Sequence, residues 1–337
     1  MPRIEEVGEF NLIRHLTSIS SPGTKPPVIT GVGDDAAVYH PKPGMVQVVT
    51  TDALIEGYHF DFDFYRMDHV GYKAMVVNLS DIAAMNAQPI LATVALGIPG
   101  SLSTEDLESL YRGLTNAASK YGVQIIGGDT TRSPVLVLSI TVIGEAPEPD
   151  LVHRNGASPG DSICVSGNLG DAAAGLNLLR SHTEPNTLGP KVWDVLTTRH
   201  LMPTPRLDLV HEWAQKEVRP SALIDISDGL ANEMHHICAA SDCGAILWES
   251  KLPLSPELRA GAPKSRTPVD YALNGGDDYE LLFTAPSEIL ERMSSDSFTT
   301  IGVVTAKDVL IHREDGTLEP LKPEGHDHFR ATGSTRP

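Results

Sequence analysis

The sequence predicts an α/β (α+β) protein of two domains, and three observations carry that prediction. A chain of 337 residues is longer than a single hydrophobic core usually grows, about 250–300 residues. Helical and strand-like apolar patterns follow one another in both halves. Pro147 and Pro149 interrupt the pattern near residues 145–150, which sets one domain over 1–146 and a second over 147–337.

In chain order, residues 10–18 predict a short helix with Leu12, Ile13 and Leu16 on one face, and 22–27 a loop. Residues 45–51 predict a strand, β-branched apart from Gln47 over 46–49. Helical spacing of Tyr72, Met75, Val76, Leu79 and Ile82 predicts a helix over 70–85, closed off by Pro89. A strand over 90–97 follows, then a helix capped by Ser103 or Thr104 and running to about 121. Glu105 and Asp106 suit its positive N-terminus. Strands over 123–127 and 135–144 complete a mixed first half. The second α/β unit opens over 157–163, with a turn at Pro159–Gly160. It continues with a helix over 170–179, a polar loop over 182–190 and a helix over 206–213. A strand over 222–225 and a helix over 229–241 follow.

A net charge of −18 argues against a nucleic-acid groove, which needs Lys and Arg to neutralise phosphates. It argues equally against an anionic membrane surface. Three cysteines, Cys164, Cys238 and Cys243, form no CxxC pair and suggest a reducing compartment without a disulfide framework. The first residues are acidic, with no apolar stretch of a signal peptide, and no apolar run is long enough to span a bilayer. The expected location is cytoplasmic.

The chemistry is carried by glycine-flanked aspartates. They read Gly-Val-Gly-Asp-Asp at 31–35, Thr-Thr-Asp at 50–52, Asn-Leu-Ser-Asp at 78–81 and Gly-Gly-Asp-Thr-Thr-Arg at 127–132. Two more follow, Asp-Ile-Ser-Asp-Gly at 225–229 and Gly-Gly-Asp-Asp-Tyr-Glu at 275–280. Each alone is ordinary turn or cap chemistry. Asp52, Asp81, Asp129 and Asp225 are all expected at ends of strands or helices, and like charges gathered there call for a cation. Oxygen ligands on tight loops suit Mg²⁺ bridging protein to a polyphosphate, which points to phosphoryl transfer. The Gly31-Val-Gly-Asp-Asp-Ala36 stretch fits a loose dinucleotide fingerprint, but Asp34 and Asp35 would repel a pyrophosphate. No P-loop and no protein-kinase motif set is present. His235 and His236, adjacent on a helix, face different ways and make no zinc pair. His59, taken alone, reads as a structural histidine, and Arg132 and Arg154 read equally as surface ion pairs or phosphate clamps.

Together the motifs resemble the thiamine-monophosphate kinase family, related to aminoimidazole ribonucleotide synthetase and selenophosphate synthetase. The matching pieces also include Gly8-Glu-Phe-Asn-Leu-Ile13, Gly57-Tyr-His-Phe60, Gly167–Gly175 and Asp327-His-Phe329, in order over nearly the whole chain. The resemblance implies transfer of the γ-phosphoryl of ATP to thiamine monophosphate. It implies Mg²⁺ ligands at Asp35, Thr50, Thr51, Asp52, Asp81, Asp129, Asp225 and Asp228. It implies ATP contacts at Tyr111, Gly128, Asp129, Arg154 and Ser227, and acceptor contacts at His59, Asp277 and His326. Asp277 stands where the family usually has Glu, and His326 where it usually has Tyr or Trp. The implied fold is an N-terminal mixed-sheet domain that makes a homodimer through its strands and a C-terminal α/β domain, with nucleotide in the cleft between them.

The acceptor is itself a phosphate, largely ionised near neutrality, so no strong general base is needed. No catalytic triad or activated cysteine is read from the sequence, and direct metal-assisted transfer is expected. A related ATP-dependent enzyme with another small acceptor, and a non-catalytic nucleotide- or metal-binding regulator, stay open at this level.

Overall fold

The computed structural model describes residues 9–20, 25–263 and 266–325. By internal contacts the chain divides into two compact units. One is Met1–His153 with Leu201–Asp225, and the other Arg154–His200 with Ile226–Pro337. Asp225 thus groups with the first unit although it lies well beyond the expected boundary at 146/147.

The first unit opens with helix α1 (Glu9–Ser20) and the antiparallel pair β1 (Val28–Thr30) and β2 (Val38–Tyr39). Then come β3 (Met45–Ile55), α2 (Met67–Ala84), β4 (Gln88–Ile98), α3 (Thr104–Lys120), β5 (Gln124–Arg132) and β6 (Val137–Pro147). The four long strands form a mixed sheet in the order β3-β6-β4-β5. Its faces follow from period two: along β6, Leu138, Ile140, Val142, Gly144 and Ala146 are buried and alternate with part-exposed residues. Helix α2 packs against β3 and β6 and lies against α3. It is apolar almost all round, with Met75, Val76, Leu79 and Ile82 fully buried. Helix α3 starts where Ser103 makes a capping box with Asp106, each side chain bonding the other's backbone amide.

The second unit opens with β7 (Ser162–Val165), α4 (Asp171–Arg180), the single turn α5 (Pro185–Leu188) and α6 (Pro190–Leu201). Helix α7 (Leu207–Lys216) and strand β8 (Ala222–Asp225) then belong to the first unit, where both pack on α2. The second unit resumes with α8 (Leu230–Ser241), β9 (Gly244–Trp248), α9 (Pro256–Gly261), α10 (Pro268–Asn274) and β10 (Leu281–Ala285). It closes with the single turn α11 (Ser287–Leu290), β11 (Thr299–Thr305), β12 (Val309–His312) and β13 (Leu318–Pro320). The strands of this unit run in the order β13-β12-β9-β11-β7-β10. On its helical side Ala174, Leu178, Leu196, Leu258 and Tyr271 make one cluster from α4, α6, α9 and α10.

Three expectations change. The 182–190 stretch is not all loop, because Pro185 starts a helical turn at α5. Strand β3 runs on to Ile55, paired with β6 throughout, so Asp52 lies inside a strand rather than at its end. Asp129 likewise sits within β5, and of the four aspartates only Asp225 ends a strand. No described helix is long and apolar enough to cross a membrane.

Candidate active site

Two consecutive residues of α2 tie neighbouring strands to that helix. The Thr50 hydroxyl of β3 donates to Asp81 Oδ2 at 2.5 Å, and the Ser80 hydroxyl donates to Asp225 Oδ2 at 2.7 Å. Asp225 is buried at the end of β8, where Ala222, Leu223 and Ile224 are buried as well. The fold therefore gathers Thr50, Asp81 and Asp225 from elements far apart in sequence. Asp52 lies two residues beyond Thr50, opposite Ile140, on the same helix-facing side of the sheet.

The other expected ligands lie elsewhere. Thr51 alternates to the opposite face, where its hydroxyl accepts from Thr141 at 3.2 Å and donates to the Ile140 carbonyl. Asp129 is exposed on β5, at the far edge of the sheet from β3, with β6 and β4 between them. Asp35 is on an exposed turn whose amide donates to Asp34 Oδ1. Among the described residues no three His, Cys, Asp or Glu side chains are arranged to hold a metal ion. Mg²⁺ asks for less than that, since it commonly takes one or two carboxylates and completes its shell with waters and phosphates. The Thr50–Asp81 contact, with oxygen donors only, fits such an ion.

Gly128 fills a place no side chain can take: a Cβ there would lie 1.9 Å from the Val94 carbonyl oxygen. The register with β4 shifts between Ala92 and Thr93, so β5 carries an extra residue, Ile126, two positions before this glycine. Tyr111 is buried in α3, and burial pushes its hydroxyl up to about 12. The residue is 7% exposed, so it presents little surface to a nucleotide. His59 follows β3, and its Nδ1 accepts the Ile55 amide at 3.1 Å, which leaves the proton of a neutral ring on Nε2.

In the second unit the 275–280 loop pairs with the 226–228 segment. Ser227 accepts the Asp277 amide at 2.8 Å, and Ile226 accepts the Tyr279 amide and donates to the Glu280 carbonyl. Asp228 donates its amide to Glu233 Oε1, and burial pushes the Glu233 carboxyl up to about 7, with the Asp228 charge adding to the rise. Arg154 begins this unit, and its carbonyl accepts from Ser241.

Behind the loop lies a buried polar network. Asp278, fully buried, accepts the Gly170 amide at 2.7 Å and the Ala172 amide at 3.4 Å. Arg199 donates to Glu280 Oε1 at 2.7 Å and to the Asp278 carbonyl, while Ser166 donates to Glu280 Oε2 at 2.5 Å. Burial pushes the Asp278 carboxyl up to about 8, and the nearby Asp171 and Glu280 charges act in the same direction. Sequence reading of the Gly-Gly-Asp-Asp-Tyr-Glu motif singled out Asp277 and missed Asp278, Glu280, Arg199 and His200. The last two come from α6, some eighty residues earlier, and no spacing rule links them to the loop. His326 lies outside the described residues.

The comparisons with known proteins cover almost the whole chain. The family of AIR synthase related protein, N-terminal domain, matches residues 33–146, and its C-terminal domain matches residues 158–313. The thiamine-monophosphate kinase of Escherichia coli (strain K12) is 39% identical over 332 residues, covering 96% of this chain and 98% of its own. A crystal structure of the thiamine-monophosphate kinase from Stenotrophomonas maltophilia K279a is 35% identical at a TM-score of 0.79, over 91% of this chain and 96% of that one. A structure of AaThiL complexed with AMPPCP and TMP is 35% identical at a TM-score of 0.76, over 98% of this chain and 99% of that one.

Proposed function

We infer that this chain, which belongs to the thiamine-monophosphate kinase family of AIR synthase related proteins, transfers the γ-phosphoryl group of ATP to thiamine monophosphate, giving thiamine diphosphate and ADP. The observation that carries this is the end-to-end likeness to kinases of that specificity, at 39% identity over 96% of this chain.

We propose several Mg²⁺ ions, shared among Asp52, Asp81 and Asp225, among Asp35, Asp129 and Asp228, and with Thr50 and Thr51. Because its side chain faces the other side of the sheet, Thr51 would contribute through its backbone carbonyl. Bound there, the ions would supply charge screening between two polyanions. The protein groups do the rest by position. Gly128, Asp129, Arg154 and Ser227 are the proposed ATP contacts. Gly128 lets backbone approach closely, and Arg154 offers a cation to phosphate. His59, Asp277 and His326 are the proposed acceptor contacts. The acceptor phosphate is already ionised and attacks directly, so the chain need only bind, orient and exclude water. The working form is proposed as a cytoplasmic homodimer, joined through strands of the first unit.

The test is ADP release by purified protein with ATP, Mg²⁺ and thiamine monophosphate, with thiamine diphosphate followed by chromatography. One thiamine diphosphate should form per ADP, and chelation of Mg²⁺ should stop both. ADP release that ignores thiamine monophosphate would overturn the acceptor.

A further inference from the structure

Asp277 is held in an unusual way for a loop carboxylate. Its φ of 68° lies in the left-handed region, as does that of Tyr279 at 50°. Two such residues, neither of them glycine, flank the buried Asp278. Asp tolerates this region better than most side chains, and a tyrosine there is a backbone outlier of the kind that collects at functional sites. The Tyr279 hydroxyl donates to Asp277 Oδ1 at 2.9 Å. On the other side His200 Nδ1 lies 3.3 Å from Asp277 Oδ2, within ion-pair reach but not aligned for a hydrogen bond. The His200 side chain is 2% exposed, yet 32% of the Asp277 side chain remains open. A buried imidazole therefore backs a carboxylate that faces outward.

The same helix end fixes the rest of the loop. Arg199, next to His200 in the last turn of α6, grips the Asp278 carbonyl and the Glu280 carboxylate. The Asp277 amide is bonded to the Ser227 carbonyl. Both ends of Asp277, backbone and carboxylate, are thus set by named partners.

We propose that His200 and Tyr279 are positioning residues that aim the Asp277 carboxylate at the cationic acceptor, and so set acceptor affinity without touching the acceptor. This rests on the reading of Asp277 as an acceptor contact. Loss of one aimed, charge-assisted hydrogen bond corresponds to about tenfold in affinity.

Steady-state kinetics on the full chain tests it with Tyr279→Phe, His200→Gln and Asp277→Asn, alone and in pairs. Tyr279→Phe removes one hydroxyl and His200→Gln keeps a polar side chain, so the fold is spared, and thermal unfolding verifies this for each variant. The expected result is a KM for thiamine monophosphate raised about tenfold in both, with a smaller change in kcat and an unchanged KM for ATP. In the Asp277→Asn background neither change should raise that KM further, since coupled residues are not additive. Equal rises with and without Asp277, or a KM for ATP that moves in parallel, would overturn the positioning role. If Asp277→Asn alone leaves the KM for thiamine monophosphate unchanged, the acceptor reading of Asp277 fails first and the inference falls with it.

Discussion

At the residue scale, Asp81 is the most exacting position. It sits in the last turn of α2, and its carboxylate accepts the Thr50 hydroxyl at 2.5 Å. Asp81→Asn keeps shape and hydrogen-bonding capacity but removes the charge a cation needs. Turnover should fall by about 100-fold or more, the scale seen when one preorganised electrostatic partner is lost, while circular dichroism stays unchanged. Near-normal activity would remove Asp81 from the metal set. The acidic residues were legible in the sequence because aspartate beside glycine, serine or threonine in short motifs leaves a local signature. Their grouping was not: Thr50 and Thr51 are neighbours in sequence, yet strand alternation sends them to opposite faces. The buried partners of the 275–280 loop were hidden for another reason, since Arg199 and His200 reach it only through the packing of α6.

At the element scale, the α2–α3 crossing depends on two glycines. A Cβ on Gly71 would lie 2.0 Å from the Leu110 carbonyl oxygen, and one on Gly113 would lie 2.0 Å from the Asp68 carbonyl oxygen. Each helix thus sits against the other's bare backbone. In an isolated helix Gly→Ala is stabilising by about 1 kcal/mol. Here the sign reverses, because overpacking of this kind costs about 1–3 kcal/mol. Gly71→Ala should lower the urea midpoint of unfolding, and a raised midpoint would show that the helices part without penalty. Most elements were legible from periodicity, and β8 was read to the residue. The far end of β3 was not: the strand read over 45–51 stops short of Asp52–Ile55, and only pairing with β6 reveals those residues as strand. The turn at α5 was hidden by the polar residues around Pro185, and the grouping of α7 and β8 with the first unit is a property of tertiary contacts that no local pattern encodes.

At the scale of the whole molecule, ligand and proton linkage give two further tests. The Asp225-Ile-Ser-Asp228 motif straddles the division between the units, which falls between Asp225 and Ile226. If ATP and Mg²⁺ are bound as a pair, the two together should raise the thermal midpoint more than either alone. A ligand at 100 times its Kd adds about 2.7 kcal/mol, and equal shifts with and without Mg²⁺ would refute joint binding. The buried acids set the pH response. Burial raises Asp278 from 3.8 to about 8 and Glu233 from 4.5 to about 7. Between the lower and upper value of each pair the folded chain holds a proton that the unfolded chain has lost. Unfolding then releases protons, so these groups stabilise the fold fully below about pH 4, and that stability is lost as pH rises toward 8. Asp278→Asn removes the larger of the two contributions while its amide oxygen can still accept from Gly170. The fall in thermal midpoint between pH 5 and pH 8 should therefore be shallower in Asp278→Asn than in the parent chain. Parallel pH curves for the two proteins would mean that Asp278 is ionised in the folded state, with Arg199 holding its charge.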